Sequence, residues 1–224
     1  MNEKRAFENW LAREAKLKHT IGRCVSDTVR SIKGQEDDYD SIDMLLDLLS
    51  ATVIRTVAEY LASEYRTSHK EGVDGLIDSS PSEGEVAEAV YTVIDGKDFS
   101  DRIHEYVDSM CAAALLGEEA ELDDAADKVR SKLDTLVETD GHRVRSDARQ
   151  IAGEELASVG FTVTKTWKTM RDEKVRDTHF WLDGKTIPID GWFETVNGRA
   201  LYPGGFGIPE EDCHCRCIIH LEVS

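Results

Sequence analysis

The residues of this chain best suited to chemistry lie toward its end. Cys215 and Cys217 are separated by one residue, so an extended backbone turns both sulfurs to the same side. An imidazole from His179 and a fourth donor from Cys213, His214 or Asp172 would complete the tetrahedral set that holds structural zinc. The same residues allow a plainer arrangement. Free cysteines serve as small buried apolar groups, and His179 could be satisfied by Asp183 or by a main-chain carbonyl. Arg176 sits between Asp172 and Asp177, a spacing that suits an internal ion pair better than a phosphate site. With His179 as general base and Arg176 on a phosphate, the segment could in principle cleave phosphodiesters. No Gly-x-Ser-x-Gly, phosphate-binding loop or His-Glu-x-x-His motif accompanies them, and the chain is expected not to be an enzyme.

A second cluster is basic. Arg143, Arg145 and Arg149 fall on one helical stretch and Lys165 and Lys168 on the strand that follows, a possible nucleic-acid contact. A solvated face balanced by Glu154, Glu155 and Asp172 is the competing arrangement. The charge balance limits the first possibility. The chain carries 27 basic and 45 acidic residues, net -18, but from Gly141 onward the count is 11 against 13, leaving residues 1–140 with 16 against 32. The acidic part would repel a polyanion and suits docking to a basic protein surface. Five cysteines, three of them within five residues, do not form a disulfide framework. No apolar run approaches the roughly 18 residues of a membrane span, and no membrane partner is expected.

The elements that must position these groups are read from periodicity. Phe7, Trp10, Leu11, Ala15, Leu17, Ile21, Val25, Val29 and Ile32 recur at three- and four-residue steps, which predicts one long helix. A second follows the acidic cluster at 36–40, along Ile42 to Leu61; Met44 and Leu48 widen its apolar face enough for a partner helix or self-association. Glycines and serines over 72–84 predict a loop. Helices are predicted over 85–94, 99–116 and 119–137, then a turn at Asp140-Gly141 and a further helix over 144–158. At Phe161 the period drops to two, predicting a strand through Lys168. Asn197-Gly198 predicts a hairpin with a type I′ turn, and 217–223 a last strand. The fold class is therefore α+β: an acidic helical region over 1–140, then a small antiparallel β-containing module over 141–224.

Within that module the order is Trp167, Asp172, Val175-Arg176, His179, Asp183-Gly184, Tyr202-Pro203-Gly204, Glu210-Glu211-Asp212 and Cys215-Arg216-Cys217. In these residues the chain resembles the phage Mu F-like head morphogenesis family of minor head proteins. His214 stands where that family usually has asparagine, and Cys213 is additional. The resemblance implies a non-catalytic virion component that assists capsid assembly near the portal, made in the host cytoplasm and carried inside the head. Portal or capsid protein would be its partner, and packaged DNA a possible contact. It also implies structural roles for Trp167, Asp172, Arg176, His179, Asp183, Gly184, Tyr202, Pro203 and Gly204. A phage-derived nuclease or toxin-like effector, or an acidic protein-interaction module, are the alternatives.

Overall fold

The computed structural model describes residues 3–34, 39–92, 96–116 and 118–224; most of the acidic cluster at 36–40 lies outside them. In chain order the elements are α1 (Glu3–Lys33), α2 (Tyr39–Val73), α3 (Glu83–Val90), α4 (Phe99–Asp108), α5 (Cys111–Leu115) and α6 (Glu119–Ser158). There follow β1 (Val163–Lys168), α7 (Asp177–Phe180), β2 (Thr186–Pro188), β3 (Phe193–Glu194), β4 (Arg199–Ala200), α8 (Pro209–Asp212) and β5 (Ile218–Val223). The α+β class is borne out.

Two compact units emerge. One comprises Met1–Tyr60 and Gly96–Val137, the other Leu61–Asp95 and Glu138–Ser224. The first is helical. Its α1 stripe of Trp10, Leu17, Ile21, Val25, Val29 and Ile32 is buried as the period requires, and the Trp10 indole donates to the Tyr60 hydroxyl at 3.1 Å. Asp98 caps α4 by accepting from the Ser100 and Asp101 amides, while Asp101 reaches back to the Asp98 amide. On α2, Met44 and Leu48 stay about two-thirds exposed.

The second unit carries the chemistry. Its three-stranded sheet has the order β2-β1-β5, both pairings antiparallel, with Trp167 opposite Ile219 and Lys165 opposite Leu221 and Ile187. Alternation along β1 puts Val163, Lys165 and Trp167 on one buried face. Two glycines leave room here for side chains of the facing segments. A Cβ on Gly72 would lie 2.6 Å from Ala152 Cβ, and one on Gly153 would lie 2.5 Å from Ile189 Cδ1.

Three of the predicted elements form differently. The turn at Asp140-Gly141 does not form, and α6 runs unbroken through it. Asp140 is fully buried with Arg143 one turn on, its Oδ1 3.6 Å from the guanidinium. Buried pairing and the apolar residues Val144 and Ala148 outweigh the roughly 1 kcal/mol that glycine costs inside a helix. The stretch 99–116 divides into α4 and α5. The hairpin at Asn197-Gly198 does form, pairing Phe193 with Ala200 and Glu194 with Arg199, but neither turn residue takes positive φ. Its connection is a four-residue one, closed by the Thr195 amide donating to the Gly198 carbonyl at 2.8 Å, not a type I′ turn.

Candidate metal centre

His179 lies on the single turn of α7, which bridges β1 and β2. That bridge is pinned at its base: the Gly184 amide donates to the Trp167 carbonyl at 2.8 Å and the Trp167 amide to the Lys185 carbonyl at 3.0 Å. Gly184 has φ of +79°, a left-handed conformation that glycine enters without penalty. The turn buries the His179 ring edge-on against the Trp167 indole, 5.2 Å between centroids, with Phe206 stacked on it at 5.8 Å.

Cys215 and Cys217 approach from the other side. They precede β5 instead of lying on its ladder, yet both thiols face the ring. The Sγ atoms lie 3.6 and 3.5 Å from His179 Nδ1. Both cysteines and the histidine are buried, in a cluster with Trp167, Leu182, Phe193 and Ile219. The expected grouping of His179, Cys215 and Cys217 is thus present in space.

The other ring nitrogen faces a buried carboxylate: His179 Nε2 is 2.8 Å from Glu211 Oε2, although the angle falls short of a well-formed hydrogen bond. A lone pair held that close to a carboxylate would be repelled, so the ring proton belongs on Nε2 and Nδ1 presents its lone pair to the thiols. Burial pushes the Glu211 carboxyl up, but donors from Thr178, Asn197 and Thr195 and the nearby His179 outweigh it and leave it below the usual range. The thiols are driven apart. The hydrogen bond between them and burial raise Cys215, whereas the same bond lowers Cys217, helped against burial by the Trp167 indole and by Arg176 and Arg216. The Trp167 N–H, which lacks a well-formed partner, lies against the Cys217 sulfur.

None of the three fourth-ligand candidates joins the grouping of His179, Cys215 and Cys217. Asp172 accepts a two-pronged pair from Arg216 at 2.9 and 2.7 Å, which holds it well below the usual carboxylate range. His214 is exposed, 2.6 Å from Glu138 Oε2. Its φ of +55° lies in the left-handed region, which His and Asn enter more readily than most residues. The carbonyl of Cys213 accepts from the Arg176 guanidinium. That bond also replaces the ion pair expected of Arg176 with Asp172 or Asp177. Asp183 does not satisfy His179; it accepts from the Thr169 amide and Arg171, both at 2.9 Å.

Two residues of the centre were given no role by sequence. Glu211 stands inside the Glu210-Glu211-Asp212 element, and nothing local marks it as the residue turned inward. His142 stands on α6 and reaches the Cys215 thiol. Reading 140–141 as a turn removed it from any helix face; on a continuous helix it precedes the buried run Arg143 to Ser146.

Tyr202-Pro203-Gly204 packs this module on α6. The Tyr202 hydroxyl bonds Asp147, and Gly204, at φ +85°, lies so close that a Cβ would sit 3.3 Å from Arg143 Cα. The basic cluster does not form the surface its sequence suggested. Arg143 donates to the Ala89 carbonyl at 2.9 Å, Arg145 to Glu64 at 2.7 Å, and Arg149 to the Ile219 carbonyl and Glu71. Lys165 is fully buried, its Nζ donating to Gln150 at 2.9 Å, and burial pushes it down to about 8. Only Lys168 of the five is left without a buried or internally bonded charge. Apolar periodicity places the arginines on α6, but not which face of a half-buried helix takes up charge.

The model of the family described as phage Mu protein F like protein matches residues 84–220. Among curated relatives, minor head protein GP7 of Bacillus phage SPP1 is 34% identical over 82 residues, 36% of this chain and 26% of that protein. The NAD(+)–arginine ADP-ribosyltransferase EFV of Enterococcus faecalis is 34% identical over 82 residues, 37% of this chain and 17% of that protein. Each match therefore spans only about a quarter or less of the relative's own length. No solved structure matches.

Proposed function

Because the chain belongs to the phage Mu protein F like family, we propose that it is a minor head protein of a phage or prophage that assists capsid assembly near the portal without catalysing a reaction. The observation that carries this reading is the family match, which spans the sheet, the His/Cys/Cys cluster and the helices at 84–158. The identity with a minor head protein supports it. In this reading the chain is itself a virion component carried within the head. Contact with packaged DNA would fall to exposed cations such as Arg171, Lys174, Lys185 and Arg199, the α6 arginines being engaged internally.

The equal identity with a named transferase favours one second reading, an effector that modifies arginine. Against it, the match to the transferase covers only 17% of that protein, and a segment so short carries no activity by itself, whereas the family match spans residues 84–220. Tagged chain expressed with the structural genes of its own phage tests the matter. The head reading expects recovery of portal or capsid protein with the tag and no consumption of NAD by the purified chain. Consumption of NAD, or cleavage of nucleic acid that disappears in His179→Ala, would replace it with the effector reading.

A further inference from the structure

The geometry around His179 matches a ligand shell in more than residue type. For a tetrahedral zinc with bonds of about 2.3 Å to sulfur and about 2.05 Å to nitrogen, the sulfur-to-nitrogen edge is about 3.6 Å. The two edges from His179 Nδ1 to Cys215 and Cys217 are 3.6 and 3.5 Å, and the three donor atoms lie within 4.8 Å of one another. A thiol hydrogen-bonded to a ring nitrogen gives a similar separation, so distance alone is not the argument.

Three further features point the same way. Glu211 backs the ring from behind at Nε2, the carboxylate–histidine arrangement that orients a metal-bound imidazole. Beside the cluster is a cavity of about 10 Å³, room for one water-sized sphere, edged by His179, Cys215 and Cys217. His142, buried on α6, bonds the Cys215 thiol from outside the three-donor grouping, so that its ring must turn in to become the fourth donor. Two thiolates balance a divalent ion, and two neutral imidazoles add no charge, so the filled site is neutral and fit for burial.

We propose that His179, Cys215, Cys217 and His142 bind one zinc ion, tying α7 and the segment before β5 to α6. The site goes beyond the head-protein reading and stands or falls without it. As each thiol loses its proton on binding, affinity falls with decreasing pH.

The test is metal analysis of the full chain purified from zinc-supplemented cells without chelator, followed by cobalt exchange and X-ray absorption. The expected result is about one zinc per chain, a tetrahedral cobalt spectrum with sulfur-to-metal charge transfer, and a shell of two sulfurs and two nitrogens. Cys217→Ser should abolish the charge-transfer intensity due to one thiolate, and His142→Gln should weaken zinc binding by more than about tenfold. Should either variant fail to fold, the wild-type measurements still decide. Less than about a tenth of a zinc per chain in the wild type overturns the site. A three-sulfur shell, or zinc retained at full affinity by His142→Gln, overturns its ligand set.

Discussion

Lys165 places a charge where burial opposes it. Its amine donates to Gln150 and lies 5.7 Å from the Phe193 ring centroid, inside the second unit. Burial lowers it from 10.5 to about 8. Between those values the unfolded chain holds more protons than the folded one, so the contribution of Lys165 to stability becomes more favourable as pH rises from about 8 to 10.5. Below about pH 8 the charged, buried amine costs about 3 kcal/mol, from about 1.4 kcal/mol for each pH unit. Lys165→Met removes that cost and leaves Gln150 without a donor, a loss of about 1 kcal/mol. The variant is expected to be the more stable by about 1–2 kcal/mol in urea unfolding at pH 7, and the advantage should disappear by pH 10. Glu211 has the opposite character, since its charge is matched by three donors and the His179 ring. Glu211→Gln turns an amide toward groups that need an acceptor, and the expected loss is about 2–4 kcal/mol by the same measurement. At His214 the left-handed backbone is the constraint. His214→Asn should stay within about 0.5 kcal/mol of the parent, since the exposed pair with Glu138 is worth little, whereas His214→Val should cost about 1–2 kcal/mol.

The helices and strands meet at positions where there is no space for a side chain, and the contrast between two glycines tests that. Gly204 combines positive φ with close approach to the α6 backbone, so Gly204→Ala is expected to cost about 1–3 kcal/mol, read as a fall in the urea midpoint. Gly198 has neither feature, with its nearest contact, Phe206 Cδ1, at 3.9 Å. Gly198→Ala should therefore be tolerated within about 0.5 kcal/mol, although the Asn-Gly pair in sequence suggests the opposite. That pair shows what sequence can and cannot convey. Apolar spacing in α1 and alternation in β1 are local patterns, and both elements were legible because the buried face must repeat with the backbone. The His179, Cys215 and Cys217 grouping was legible from the residue types and the spacing of the two cysteines. Turn type at 197–198 and helix continuity at 140–141 depend on tertiary contacts. Asp140 is a turn former in isolation and a buried ion-pair partner once Arg143 is packed beside it. His142 and Glu211 were missed on the same ground, since each meets the centre only through folding at a distance.

On the scale of the whole chain, charge and packing divide differently. Residues 1–140 hold 32 acidic against 16 basic residues, and this excess favours a basic partner surface. The packing unit that contains the sheet also takes in Leu61–Asp95, and Ser68, within α2, donates to the Arg145 carbonyl at 2.8 Å. Glu64 on the same helix is fully buried, with Arg145 as its partner. A chain ended at Asp140 would leave that carboxylate without its guanidinium and would cut α6 inside its span, Glu119–Ser158. Removing one partner of a buried ion pair costs about 3–5 kcal/mol, a large share of what holds a domain together. Circular dichroism of the shortened chain should show less helix than its share of the intact one, with hydrogen exchange in 61–95 no longer protected. The acidic surface must accordingly be tested on the full chain. Recovery of the head partner is expected to fall about tenfold or more between 50 mM and 500 mM salt, because the attraction between exposed charges is screened over that range. Recovery unchanged by salt would assign the interaction to apolar contacts instead, with the exposed Met44 and Leu48 of α2 as the first residues to substitute.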